Sequence, residues 1–213
     1  GVGIENIKRL PLLSKKELEK SINFNLNKKN ILITYHPVTL ENNTSHSQFQ
    51  ELLNAINELD DTNIIFTKTN SDLNGKVINQ MIDKYIIENK KKAISFISLG
   101  QIRYLSALQY VDAVVGNSSS GLAEAPSFKI GTINIGERQK GRIKASSVID
   151  CEPKKNSILK AFTQLYSTKF IKTLKSSINP YGDGQASKKI IDKIKKADLK
   201  NILKKSFYDL KVT

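Results

Sequence analysis

The chain has 213 residues, 39% of them hydrophobic, which suffices for one sizeable core or two small ones. Its net charge of +14 would suit a polyanionic partner, but residues 153–213 hold fifteen lysines against four aspartates, while residues 1–152 carry nineteen basic and sixteen acidic side chains. A single cysteine, Cys151, excludes an internal disulfide framework and fits a reducing cytoplasm; two separated histidines argue against a zinc site, and no apolar run approaches the ~20 residues of a membrane span.

Gly1 stands where an initiator methionine would, so a processed chain or a fragment is expected. Residues 1–29 contain a capped helix from Ser14 ("SKKELEKSI") but too few apolar positions for a core of their own. "NILITY" (30–35) reads as a buried strand ended by "HP", and "SQFQELLNAINEL" (47–59) as a helix with Phe49, Leu52, Leu53, Ile56 and Leu59 on one face. His46, ahead of that helix, is expected in a solvated loop. A second strand at 63–68 precedes a helix over 75–89, and a third at 93–98 precedes a helix over 102–110. "DAVVG", "GTINIG" and "SSVID" supply a fourth, a fifth and a possible sixth strand.

Strand and helix alternate over short connections, and the strands are uniformly apolar, as burial on both faces requires. The predicted fold is therefore α/β: an open, doubly wound parallel sheet (Rossmann-like) over residues 30–171. A lysine-rich helical segment follows at 172–213. There Ile190, Ile191, Ile194, Leu199, Ile202 and Leu203 recur at helical spacing between lysines. A solvated lysine face accounts for that pattern; binding to nucleic acid or an anionic membrane is the alternative, disfavoured by sparse aromatic residues and the lack of a nucleic-acid module.

Ligands of open α/β sheets bind beyond the carboxyl ends of the strands, and the unusual residues of this chain fall there. In "VVGNSSSGLAEAPSF" a strand is followed by three serines heading a predicted helix over "LAEAPSF". Free N–H groups, the helix dipole and the hydroxyls of Ser118 and Ser119 would suit a phosphate, with Gly116 and Gly121 allowing close backbone approach; a serine that only caps the helix is the competing reading. Glu124, one turn in, could accept from ribose hydroxyls or simply be solvated. His36 closes the first strand in "TYHPVT", suited to phosphate contact or proton transfer, or to a structural role. Asn70 and Asp72 in "TKTNSDLNG" could meet hydroxyls or form an Asx turn. Arg138 and Arg142 in "NIGERQKGR" suit bidentate anion contacts or a surface loop.

Taken together, "YHPVT", "TNSDLNG", "VVGNSSSGLAEAP" and "TINIGERQKGR" resemble the hydrolysing UDP-N-acetylglucosamine 2-epimerases of sialic-acid pathways, from about residue 3 to about residue 165. "GNSSSG" favours that branch over the non-hydrolysing one, which typically has "DSGG". The resemblance implies the C-terminal domain of a two-domain glycosyltransferase-B-type enzyme, with the N-terminal domain of the same enzyme missing from this chain. It also implies a UDP-sugar substrate, a homo-oligomer in the full-length protein, no cofactor or metal, and neither nucleic acid nor membrane as partner. By the same resemblance Ser118 and Ser119 bind the diphosphate, Glu124 the ribose, Arg138 and Asn70 the nucleotide, and His36 lies by the phosphates as the catalytic group assisting departure of UDP. The implied reaction is anti-elimination of UDP to a glycal, then hydration to N-acetylmannosamine. Because the other half is absent, the isolated chain is expected to bind UDP weakly and not to turn over; its tail is expected to pack where family members send their last helix back across the first domain. A donor-binding domain of a glycosyltransferase is the alternative enzyme, which "GERQKGR" disfavours.

Overall fold

A computed structural model describes residues 1–38, 44–69 and 73–200. Six strands, β1 (Lys29–Thr34), β2 (Thr62–Thr67), β3 (Ala93–Phe96), β4 (Ala113–Gly116), β5 (Gly131–Ile135) and β6 (Val148–Cys151), form one sheet in the order β3-β2-β1-β4-β5-β6. Every pairing is parallel. The expected open parallel α/β sheet is therefore what the chain forms.

Alternation along the strands builds two apolar layers. Ile31, Ile33, Ile64, Phe66, Ala113, Val115, Ile133 and Ile135 share one core with α3 (Ser45–Ile56), α4 (Leu73–Glu88) and α7 (Lys155–Leu165). Phe49, Leu52 and Ile56 of α3 and Ile78 of α4 are fully enclosed there. Leu32, Ile65 and Val114 point to the other side, against Leu18 and Ile22 of α2 (Lys15–Ile22) and Leu105 of α5 (Gly100–Ala107). In α2 the Ser14 hydroxyl accepts the Glu17 N–H while the Glu17 carboxylate accepts the Ser14 N–H at 2.8 Å, a reciprocal cap that fixes where the helix begins.

Several boundaries differ from the spacing-based reading. β1 stops at Thr34, and α3 starts at Ser45, which places His46 in its first turn with an exposed side chain. The helix expected over residues 122–128 is instead a four-residue α6 (Ser120–Ala123) followed by a 3-10 turn (Ala125–Phe128). Pro126 has no N–H to continue an α-helical ladder, so the turn tightens.

After α8 (Thr168–Ser176), α9 (Ala186–Lys196) ends earlier than the apolar spacing suggested. Ala197 is extended, and the Asp198 carboxylate accepts the Lys200 N–H at 2.9 Å, a local bond that competes with helix continuation. Ile202 and Leu203 lie outside the described residues. α9 buries none of its side chains and leaves Ile190, Ile191 and Ile194 exposed. It is tied to α1 (Val2–Arg9), where Glu5 accepts from the Ser187 N–H (3.0 Å) and hydroxyl and pairs with Arg9 at 2.6 Å. No helix of the described residues is long and apolar enough to cross a membrane.

Candidate functional site

Strand order reverses between β1 and β4, so chain leaving these neighbours diverges and opens a crevice at their carboxyl ends. His36 follows β1, and Asn117 to Ser120 follow β4. Gly116 makes this exit possible: at φ +127° it faces Thr34, whose carbonyl oxygen would lie 2.1 Å from a Cβ. At Gly121, a Cβ would come within 2.6 Å of Thr132 Cγ2. Both glycines therefore serve approach between protein segments, whereas the sequence reading assigned them to a ligand.

Asn117 is fully buried and joins three loops. Its side-chain oxygen accepts the His36 N–H at 2.7 Å, and its amide donates to the His36 carbonyl at 2.8 Å. Its own carbonyl accepts from Arg138 Nη1 (3.0 Å) and Gln139 Nε2 (2.8 Å). Through this one residue the strand ends bearing His36 and Arg138 are held together. A second amide does similar work on β2's exit: Asn79 of α4 exchanges two bonds with the Thr69 main chain at 3.0 and 3.1 Å. The Thr69 hydroxyl in turn lies 2.9 Å from His36 Nδ1, which orients the imidazole.

The neighbouring cavity, about 360 Å³, is lined by Thr34, Thr67, Ile97–Gln101, Tyr104, Ser118, Ser120 and Glu124, with Gly3 of α1 at its edge. The Thr34 and Thr67 hydroxyls are bonded to each other at its floor. Among the described residues, the Ser118 and Ser119 N–H groups donate to no protein acceptor, so the turn presents two free donors. Because α6 is a single turn, these local donors, rather than the dipole of a full helix, are what an anion would meet. The Glu124 carboxyl is held above the usual carboxylate range, chiefly by burial, with the Ser120 hydroxyl opposing the shift. Its Oε2 atom is buried without a protein partner among the described residues.

Of the residues singled out from the sequence, Ser118 and Glu124 line the cavity. Ser119 is exposed at the start of α6, and His36 and Arg138 meet at Asn117 beside the cavity. Arg138 is mostly exposed, and partial burial and the nearby Arg142 hold its guanidinium below the ordinary arginine range. Asn70 and Asp72 lie outside the described residues. Asn117, Thr69, Asn79 and Tyr104 escaped sequence reasoning. For Asn117 a signal existed, a polar residue wedged between an apolar strand and the serine run; the others are legible only in three dimensions.

A parallel sheet with a polar, donor-rich crevice at its switch point defines a Rossmann-like α/β domain of the kind that binds ligands beyond its strand ends. Residues 1–195 match the UDP-N-acetylglucosamine 2-epimerase family, and the chain belongs to that family. It is 42% identical, over 96% of its length and 53% of the relative's, to the GDP/UDP-N,N'-diacetylbacillosamine 2-epimerase (hydrolyzing) of Campylobacter jejuni. It is 37% identical to the polysialic acid biosynthesis protein P7 of Escherichia coli, over 98% of this chain and 53% of that protein. Among solved structures, the S. aureus MnaA–UDP co-structure superposes with a TM-score of 0.69 at 20% identity, covering 91% of this chain and 52% of that one. The chain thus spans about half the length of the curated relatives it matches.

Proposed function

We propose that this chain is the nucleotide-binding, C-terminal half of a hydrolysing 2-epimerase acting on a UDP-linked 2-acetamido sugar. The observation that carries the reading is that the amide donors of the Ser118–Ser119 turn and a Glu124 carboxylate oxygen, which meet no protein partner among the described residues, lie at one switch-point crevice that Ser118 and Glu124 line. A diphosphate on the serine turn and a ribose diol on Glu124 would satisfy both, leaving the side formed by Ile97–Gln101 for the base. Arg138 and His36, joined through Asn117, stand where the diphosphate would gather charge as UDP leaves. The reaction is elimination of UDP to a glycal, then hydration to N-acetylmannosamine or its acetamido analogue. The relatives named for diacetylbacillosamine and polysialic acid support a sugar of this class. The remaining acid and base groups belong to the other half, so the 213-residue chain binds UDP weakly and releases no free sugar.

Titration of UDP into the 15N-labelled chain tests this: amide shifts should centre on residues 116–124, weaken in part in a Ser118→Ala/Ser119→Ala variant, which loses the hydroxyls but keeps both N–H donors, and weaken further in Glu124→Gln. Deleting residues 186–213 should leave them intact. Shifts confined to the lysine-rich tail would overturn the reading, as would release of N-acetylmannosamine by the chain alone overturn its second part.

A further inference from the structure

We propose that Tyr104 is a positioning residue that aims the Ser120 hydroxyl at the Glu124 carboxylate, and so orients the acceptor which the site offers to a vicinal diol. The inference rests on the nucleotide reading of the cavity and deepens it by naming what selects ribose over deoxyribose. Tyr104 comes from α5, Ser120 opens α6 and Glu124 follows it, yet all three line the same cavity. The Tyr104 and Ser120 hydroxyl oxygens are 2.6 Å apart.

The phenol donates this bond and the serine oxygen accepts it. Burial pushes the Tyr104 phenol well above its ordinary range, with Ser120 opposing and the neighbouring Glu124 charge adding to the shift, so the phenol carries its proton. A serine hydroxyl has one hydrogen. With one lone pair engaged by Tyr104, the Ser120 hydrogen is left for another acceptor; the Glu124 N–H donates to the Ser120 carbonyl at 2.9 Å, so the two side chains share one face of the turn, and Ser120 favours the ionised carboxyl. Without Tyr104, a serine in a first helical turn rotates among solvent and local backbone groups. The phenol therefore fixes the hydroxyl that stands on the same face of the turn as the carboxylate.

Glu124 is boxed in. A Cβ on Gly3 of α1 would lie 3.6 Å from Glu124 Oε1, and Tyr104 is the titratable group coupled to the carboxylate from the elements packed on it. Oε2 is left as a buried acceptor with no protein donor among the described residues. A ribose 2′,3′-diol supplies two donors to such a group, and a 2′-deoxyribose only one.

The test uses the whole 213-residue chain and two readouts. First, the Glu124 side-chain carboxyl is titrated by 13C NMR in wild type, Tyr104→Phe and Ser120→Ala, with each fold verified by its amide spectrum. Both variants should raise the carboxyl pKa by about half a unit or more, and adding Tyr104→Phe to Ser120→Ala should change nothing further. Second, UDP and 2′-deoxy-UDP are titrated into each protein. Wild type should prefer UDP, and Tyr104→Phe should erase most of the preference, weakening UDP roughly fivefold more than 2′-deoxy-UDP. A ribose preference that survives Tyr104→Phe together with an unmoved carboxyl titration overturns the role given to Tyr104 alone. Equal binding of the two nucleotides by wild type, or no binding, overturns the nucleotide reading of Glu124 itself.

Discussion

Asn117→Ala tests the architecture of the crevice most directly. The substitution deletes two hydrogen bonds, 2.7 and 2.8 Å long, between a fully buried side chain and the His36 main chain. At about 1 kcal/mol net per bond, plus the void left where an amide was enclosed, the loss is about 2–4 kcal/mol. For a chain of this size that corresponds to a Tm lower by roughly 5–15 °C. Urea unfolding followed by circular dichroism measures the first figure and a thermal melt the second. UDP affinity should fall as well, since the β1 exit bearing His36 is no longer tied to the carbonyl that holds Arg138. Asn117→Asp sharpens the test. One oxygen still accepts the His36 N–H, but the other meets the His36 carbonyl, which disfavours ionisation. Its folded-state pKa is therefore raised, so the variant should regain stability relative to wild type as pH falls from about 7 to about 4. A loss below about 1 kcal/mol for Asn117→Ala, or an Asn117→Asp deficit independent of pH, would refute the argument that this amide braces the crevice.

Three further outcomes follow from particular contacts. Gly116→Ala combines a φ of +127° with a Cβ 2.1 Å from the Thr34 carbonyl oxygen, so it should cost more than about 3 kcal/mol or abolish soluble expression, read by urea unfolding of whatever is recovered. Glu124→Gln should stabilise the chain at neutral pH while weakening UDP binding: the buried carboxyl titrates above its ordinary value, so its penalty is fully present above the folded pKa and vanishes as pH drops below the unfolded one, as paired melts at pH about 7.5 and about 4 will show. Glu5 has the opposite sign. The Ser187 hydroxyl and N–H hold its carboxyl below the ordinary value, with Arg9 adding to the effect, so its contribution is present above the unfolded pKa and lost as pH falls through the folded one. Hydrogen-exchange protection of residues 186–196 should accordingly drop in acid, and at neutral pH in Glu5→Gln.

Much of the architecture was legible from apolar spacing. "ILI" and "AVV" mark strands covered on both faces, and Phe49, Leu52 and Ile56 mark a helix face, because burial needs those periods whatever the neighbours are. The candidate loops were legible too, since the rule that ligands sit beyond strand ends needs only strand positions. Helix ends were read less well. Pro126 interrupts an α-helical ladder by its missing N–H and Asp198 competes with one through a local bond, and apolar spacing carries no trace of either. The serine turn is expected to head a short helix over residues 122–128, and the α-helical part is the single turn Ser120–Ala123.

The contacts that give the site its shape join residues far apart in the chain. Asn117 reaches back to His36, Thr69 to the same imidazole, and Tyr104 forward to Ser120. None of these pairs has a periodic signature, because each depends on which strands become neighbours. The amino-acid sequence by itself determined the alternation of strands and helices, the basic tail and the polar residues waiting at strand exits, since these follow from local periodicity and composition. Only the tertiary structure decided that β1 lies beside β4, that Gly116 and Gly121 serve protein packing, and that Glu124 is half-buried next to a tyrosine. Strand order is set by long-range burial of two apolar layers at once, and that is a property of the assembled sheet.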